Sequence, residues 1–229
     1  MNKFNPLVSV IMSAKNSEET ISKSIESIEK QTYENIEFLI IDDASTDSTY
    51  DLICEYANRD KRIKTFKNEI NIGLTKSLNK LIPLTNGSYI ARQDADDYSE
   101  VDRINLQMQH IETFKLDAST SRANILNSNK KIPRYSYYLP IKLSMKYKNP
   151  FIHGTLIINK QILNNLGNYD ENFYFSQDYK LFKDFLEQGY KIKTISKTLY
   201  NLNTQNNLSE KNKEKQKYFF NCARKNIKP

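Results

Sequence analysis

Ser88-Tyr-Ile-Ala-Arg-Gln-Asp-Ala-Asp-Asp97 joins a short apolar run to three closely spaced carboxylates, Asp94, Asp96 and Asp97. Ser88–Ala91 reads as a strand, so the acids stand at its carboxyl end. In open α/β sheets the ligand crevice lies beyond the carboxyl ends of the strands. Acids packed this closely repel one another unless a cation or hydrogen-bond donors offset the repulsion. An oxygen-rich cluster suits a hard divalent cation, Mg2+ or Mn2+, shared with a substrate's phosphates. Taken alone, the segment leaves a second reading open: a solvated Asp-rich turn ahead of the next helix.

The flanking sequence supplies the rest of the sheet. Leu7–Met12 and Ile36–Ile41 are short apolar, β-branched runs that suit buried parallel strands, and Arg62–Phe66 reads as a third. Between them lie helical stripes at Ile21, Ile25 and Ile28, then at Tyr50, Ile53, Cys54 and Ala57. Ser17 is the expected cap of the first helix, with Glu18 and Glu19 in its opening turn. Leu74, Leu78 and Leu81 mark a third helix, and Val101, Ile104, Met108, Ile111 and Phe114 a fourth. This strand–helix alternation over residues 7–115 predicts an α/β fold with a doubly wound, Rossmann-like sheet. Beyond residue 118 the pattern weakens, with Thr155–Ile158 read as a strand and Tyr179–Leu186 as a helix. From Ser209 onward a Lys- and Glu-rich stretch ending in Tyr218-Phe-Phe220 predicts a basic terminal helix.

Of the 229 residues, 34 are basic and 27 acidic, a balance that favours anionic partners without fixing their kind. No nucleic-acid-binding motif accompanies the charge. Cys54 and Cys222 have no metal-binding or CxxC spacing and suit a reducing compartment. The N-terminal residues carry no apolar signal-peptide core, and no window approaches the ~20 apolar residues of a membrane span. The expected location is therefore cytoplasmic, with at most peripheral attachment at the inner face of the membrane. Nothing in the sequence bears on oligomeric state.

Several loops should converge on one edge of such a sheet. Ser13-Ala-Lys-Asn16 runs towards a helix N-terminus, whose N–H groups and dipole suit an anion. Asp42-Asp-Ala-Ser-Thr-Asp47 follows the second strand and offers a carboxylate to the N–H of a base such as uracil, with Ser45 or Asp47 available to cap the next helix. Arg92 and Lys15 can add positive charge near phosphates, and Arg92 can equally pair with a neighbouring aspartate.

Val8–Asn16, Ser27–Tyr33 and Ile40–Asp47, followed by Asn71-Ile-Gly73, Ala91–Asp97 and Asp102-Arg103, resemble the family-2 inverting glycosyltransferases in order and spacing. His153-Gly-Thr155 and Leu166–Asp170 through Ser176-Gln-Asp178 continue the resemblance, which covers roughly residues 7–200. It implies the nucleotide-diphosphosugar transferase fold, with a mixed sheet and a C-terminal helical extension. The implied division is a single catalytic domain over 1–205, with a nucleotide-sugar half at 7–115 and an acceptor half at 116–205. A basic helical tail would occupy 206–229.

The same resemblance implies the site. Asp43 matches the base-contacting position, with Ser13 and Asn16 in the nucleotide-binding loop. Asp94 and Asp96 match the DXD pair, Asp96 as the metal ligand and Asp94 near the ribose or metal. Asp178 matches the general base that takes the acceptor hydroxyl's proton. Gln177 stands where the family has Glu, and Lys15 where it has an aromatic, while His153 lies on the acceptor-side wall. A helix-capping role for Asp178 remains open on the sequence. The implied reaction is transfer of one sugar, with a UDP-sugar the expected donor, to a glycan or lipid-linked acceptor of a bacterial surface polysaccharide or lipooligosaccharide. The chain has no Trp and so no Gln-x-x-Arg-Trp motif, which disfavours a processive synthase. Two other readings stay open: a catalytically inactive nucleotide- or membrane-binding subunit, and a sugar nucleotidylyltransferase, which would need a Gly-rich loop after the first strand.

Overall fold

The computed structural model describes residues 4–128, 130–204 and 212–229. Among the described residues nine strands form one mixed sheet in the order β3-β2-β1-β4-β8-β6-β9-β5, with β7 (Lys131–Ile132) paired to β6. β1 (Val8–Ala14), β2 (Ile36–Asp42), β3 (Ile63–Lys67) and β4 (Tyr89–Arg92) are mutually parallel. β8 (Ile157–Asn159) then runs antiparallel to both β4 and β6 (Ala118–Ile125). The long β9 (Ile192–Leu202) is parallel to β6, and β5 (Tyr98–Ser99) closes that edge against it.

The apolar runs form strands because both faces of the sheet are covered. On one side Val10, Met12, Phe38 and Ile40 meet α1 (Ile21–Glu29), α2 (Thr49–Arg59) and α4 (Arg103–Phe114), through residues including Ile25, Ile53, Ile104 and Met108. On the other, Ile11, Leu39 and Ile41 meet α3 (Leu74–Leu81) and α7 (Gln177–Glu187) through Leu78, Leu81, Leu181, Phe182 and Phe185. Two short helices, α5 (Ile141–Met145) and α6 (Lys160–Asn165), complete this side. The terminal helix α8 (Lys213–Lys225) packs here too: Cys222 and Ala223 are buried in the core, and the Phe220 ring lies 4.3 Å from that of Tyr179.

Three expectations shift. Ser17 does not cap α1: its carbonyl accepts from Thr20 and Ile21 N–H at 2.9 and 2.8 Å, so a separate turn precedes the helix. Thr155 belongs to a 3-10 turn (His153–Thr155) rather than a strand, and β8 begins at Ile157. Val101 and Phe114, read as part of the α4 stripe, are about half exposed at 48% and 51%, while Ile104, Met108 and Ile111 are buried.

At the sheet edge opposite the acidic loop, Glu37 is a buried anion with four donors. Its Oε1 accepts from Ser9 Oγ at 2.6 Å and from the Asn86 N–H, and its Oε2 from Lys64 Nζ at 2.8 Å and Asn86 Nδ2 at 2.9 Å. Burial alone would raise its pKa, but the bonds from Lys64, Ser9 and Asn86 outweigh it and hold the carboxyl down at about 2. A depressed carboxylate stabilises the fold above its unfolded value of 4.5, and the contribution disappears as pH falls through about 2. Glu37→Gln should therefore cost about 2–4 kcal/mol at neutral pH. In urea titrations the gap between variant and parent should narrow below the unfolded carboxylate value; a gap constant down to pH 2.5 would refute the assignment.

Candidate active site

The parallel strands place the loops after β1, β2, β3 and β4 on one edge. The β1 and β2 loops are cross-tied. Asn16 N–H donates to Ser45 Oγ at 3.0 Å, Ser17 N–H to Thr49 Oγ1 at 2.7 Å and Glu18 N–H to Asp47 Oδ2 at 3.2 Å. The amides of Asn16, Ser17 and Glu18 are thus engaged with the β2 loop and α2, and α1 itself starts later, at Ile21. This corrects the helix-terminus reading of Ser13–Asn16. Asn16 instead uses its Oδ1 to accept from Thr46 N–H at 2.9 Å, while Ser13 sits near the carboxyl end of β1, beside Ile41.

Asp43 is buried, and its carboxylate braces the loop leading into α3. Oδ1 accepts from Asn68 Nδ2 and Ile72 N–H, both at 2.9 Å, and Oδ2 from Gly73 N–H at 2.8 Å. Gly73 has φ +86°, a conformation that favours glycine, and a Cβ there would lie 2.8 Å from the Tyr174 ring. Asp42 is fully buried, with Oδ2 accepting from Ser45 N–H and Oδ1 left without a partner.

The acidic loop is anchored from below by cations. Arg92, 1% exposed, donates through Nη1 to the carbonyls of Ile11 and Gln93, through Nη2 to Asp94 Oδ1 at 2.5 Å and through Nε to His153 Nε2 at 3.3 Å. Every nitrogen is engaged with protein, so Arg92 pairs with Asp94 and is not a free phosphate ligand. Arg103 is also fully buried, with Nη2 donating to the Arg92 carbonyl at 3.1 Å and its guanidinium 5.6 Å from the Tyr200 ring centre. Its Nε and Nη1 lack partners, and burial pulls its pKa down to about 10.

The three aspartates divide. Asp97 is buried and accepts from the Asn203 N–H at 2.7 Å, a structural engagement; burial first, then Asp94 and Asp96, push its pKa up to about 9. Asp94 keeps Oδ2 clear of hydrogen bonds. Asp96 is exposed as a residue and has no side-chain partner, yet dense local surroundings and Asp94 push its carboxyl to about 6. Among the described residues, no group of three or more His, Cys, Asp or Glu is arranged to hold a metal ion. Two open carboxylates nevertheless fit a hard divalent cation whose remaining ligands are substrate phosphates and water.

The second half of the chain closes over Asp94. His153 Nε2 lies 2.7 Å from Tyr169 Oη and accepts from Arg92, which leaves the proton on Nδ1; burial, then Arg92, keeps this imidazole neutral by lowering its pKa well below the usual value. Gly154 is tight: a Cβ there would lie 2.7 Å from Asp94 Oδ2 and against the Tyr200 hydroxyl. That hydroxyl also lies 3.1 Å from Asp94 N. Asp178, in the first turn of α7, accepts from Asn149 Nδ2 at 2.7 Å. Desolvation raises its pKa, backbone and Asn149 bonds lower it, and the Asp94 charge adds a further rise. Ser176, at φ +55° just before α7, bonds through its hydroxyl to the Gln216 carbonyl at 3.1 Å and side chain at 3.0 Å, tying this corner to α8.

Thus Arg92, Asp94 and His153 are joined by hydrogen bonds and Asp178 is tied in through Asn149, with Asp96 and Gln177 beside them in sequence, whereas Ser13, Asn16 and Asp43 share the edge but Asn16 and Asp43 are bonded to neighbouring loops. Tyr169, Tyr200, Asn149 and Arg103 escape sequence reasoning, although Arg103 and Tyr169 fall within quoted motifs. The run Ile192–Leu202, with two Ile, two Thr, two Leu and Tyr200, is the signal that could have found this strand.

A doubly covered α/β sheet with carboxylates at its strand ends, completed by an antiparallel half that brings in a further acid, defines a nucleotide-sugar transferase of GT-A type. The chain belongs to glycosyl transferase family 2, whose model matches residues 9–184. An uncharacterized glycosyltransferase of Methanocaldococcus jannaschii is 33% identical over 221 residues, covering 92% of this chain and 76% of the relative. The UDP-Glc:alpha-D-GlcNAc-diphosphoundecaprenol beta-1,3-glucosyltransferase WfgD of Escherichia coli is 30% identical over 184 residues, 80% of this chain and 71% of the relative. In fold, a mannosyltransferase from Pyrobaculum calidifontis, solved in complex with GDP-Man and Mn2+, superposes with a TM-score of 0.76 at 20% identity; the match covers 90% of this chain and 59% of that one.

Proposed function

We propose that the chain is a metal-dependent, inverting glycosyltransferase that moves one sugar from a UDP-sugar to a hydroxyl of a glycan or lipid-linked acceptor in bacterial surface polysaccharide or lipooligosaccharide synthesis. The observation that carries the reading is the tie between the two halves of the domain: Arg92 joins Asp94 to His153, and Asn149, four residues before His153, holds Asp178 by a 2.7 Å hydrogen bond. Asp178 serves as the base: it takes the acceptor hydroxyl's proton as that oxygen bonds to the anomeric carbon, and the bond to the diphosphate breaks with the electron pair leaving on the nucleotide. A Mn2+ or Mg2+ ion held by Asp96 and the open oxygen of Asp94 would neutralise that leaving group. Asp43 and the Ser13–Asn16 loop serve the nucleotide, and His153 and Gln177 the acceptor side.

The UDP donor and lipid-diphosphate acceptor in the name of the Escherichia coli relative, and the Mn2+ of the solved mannosyltransferase, support the substrate and metal classes. Residues 1–205 act as one catalytic domain, with α8 as its C-terminal extension. Among the described residues no helix is long and apolar enough to cross a membrane, so contact with one would be peripheral, at its cytoplasmic face.

The test is a panel of nucleotide sugars assayed for hydrolysis with EDTA, then with Mn2+ or Mg2+. At least one donor should turn over ten- to a hundredfold faster with metal. Turnover of a donor at equal rates in EDTA would remove the metal from the proposal, and nucleotide binding without any turnover would favour the inactive-subunit reading.

A further inference from the structure

The positive charge of this chain is not spread evenly. Residues 118–169 contain eight of the 34 basic residues and none of the 27 acids, so the rest of the chain is almost neutral and this stretch holds the whole excess. A compositional bias towards Lys would not empty one segment of acids.

Within it, residues 134–148 turn unusual side chains outward. Tyr135, Tyr138 and Tyr147 are 74%, 75% and 76% exposed, and Leu139 and Leu143 are 46% and 41% exposed. Arg134, Lys142, Lys146 and Lys148 are exposed among them. The segment is nonetheless folded. Ser144 and Met145 of α5 are buried, Ile141 packs on the core, Ser144 Oγ donates to the Ser136 carbonyl at 3.3 Å, and Tyr179 Oη donates to the Met145 carbonyl at 2.7 Å. α5 itself offers Lys142 and Leu143 to solvent, and the turns on either side of it add Tyr135, Tyr138, Leu139, Lys146, Tyr147 and Lys148. An anchored segment that faces solvent with Leu, Tyr and Lys, and no acid, has the chemistry of a bilayer interface. Tyrosines sit at headgroup level, apolar side chains enter the acyl boundary, and lysines reach anionic phosphates.

We propose that residues 134–148 form a docking face for a bilayer containing anionic phospholipid. This deepens, and for its acceptor consequence rests on, the function proposed above. The face runs directly into Asn149, the residue hydrogen-bonded to Asp178. Docking would therefore hold the proposed base beside the membrane surface, where the head of a lipid-linked acceptor lies.

Co-sedimentation of the full chain with vesicles tests this without any sugar substrate. Binding should be strong to phosphatidylcholine vesicles carrying phosphatidylglycerol and weak to phosphatidylcholine alone. Lys142→Gln, Lys146→Gln and Lys148→Gln together should lower partitioning about a hundredfold, from the contribution expected of each surface lysine. Tyr135→Ser, Tyr138→Ser and Tyr147→Ser should lower it severalfold, with circular dichroism confirming that both variants fold. Equal binding to both vesicle types, or no effect of the lysine changes, would overturn the proposal. Loss with the lysine set but none with the tyrosine set would also overturn it, pointing to an acidic macromolecule instead. Failed docking with donor turnover intact refutes this face alone, and docking without turnover refutes the catalytic reading alone.

Discussion

Asp178→Asn should lower kcat for sugar transfer by about 10²–10⁴-fold, the range that loss of a general base gives, while leaving nucleotide binding intact. The substitution keeps shape, and the asparagine carbonyl can still accept from Asn149 Nδ2, so the α7 corner stays in place. Stability should not fall. Because burial raises the folded pKa of Asp178 above the ordinary aspartate value, the ionised form is penalised in the native state, and a neutral amide removes that penalty at pH 7. The same shift sets the pH profile of the parent enzyme. The base works only when deprotonated, so kcat/KM should rise with pH along an acid limb displaced above the ordinary aspartate range. A helix cap, the competing role, would behave oppositely: its replacement would lower the melting temperature and leave turnover alone. Undiminished transfer by the Asn variant would eliminate Asp178 as the base.

The first half of the fold is legible because its strands are buried on both faces and advertise it. Ile36–Ile41 contains one charged residue, and Glu37 sits where three strand entries converge on it. The second half is hidden for the opposite reason. β6 reads Ala-Ser-Thr-Ser-Arg-Ala-Asn-Ile, yet Ser119, Thr120 and Ser121 are fully buried. Their polar groups are matched by tertiary partners, among them Gln107 Nε2 on the Ser119 carbonyl, Thr194 on Thr120 and Thr155 Oγ1 on Ser121 N–H. Hydropathy cannot register a strand stabilised this way. β9 is harder still: its register against β6 slips on either side of Arg122, which breaks the two-residue alternation that would betray a strand. Missing β9 meant missing Tyr200. The acids of the site could be found because carboxylates clustered after a strand are chemically costly, whereas of the four partners of Arg92 the sequence offered only the neighbouring Asp94: His153 is distant, and Ile11 and Gln93 contribute backbone carbonyls.

Arg92→Leu should destabilise the domain by about 3–5 kcal/mol, the cost of removing one partner from a buried ion pair. In a chain of this size that corresponds to a melting temperature lower by about 10 °C. The guanidinium is the hub of the first half's contact with the second: it joins the Ile11 carbonyl on β1, Asp94 in the acidic loop and His153 beyond β6. Without it Asp94 would stand next to Asp97 and Asp96 with no ion-pair partner, and His153 Nε2 would retain only Tyr169. Arg92→Lys should recover only part of the loss, because a single ammonium cannot serve carbonyl, carboxylate and imidazole in the plane that a guanidinium spans. Both substitutions also release Asp94 from the orientation the guanidinium gives it, so calorimetric titration of Mn2+ in the presence of UDP should show weaker binding in both variants; tighter binding in the leucine variant, the result expected if removal of a nearby positive charge dominated, would refute that positioning role. A free phosphate ligand predicts something different, namely weaker nucleotide binding at unchanged melting temperature, and that result would return Arg92 to the nucleotide site.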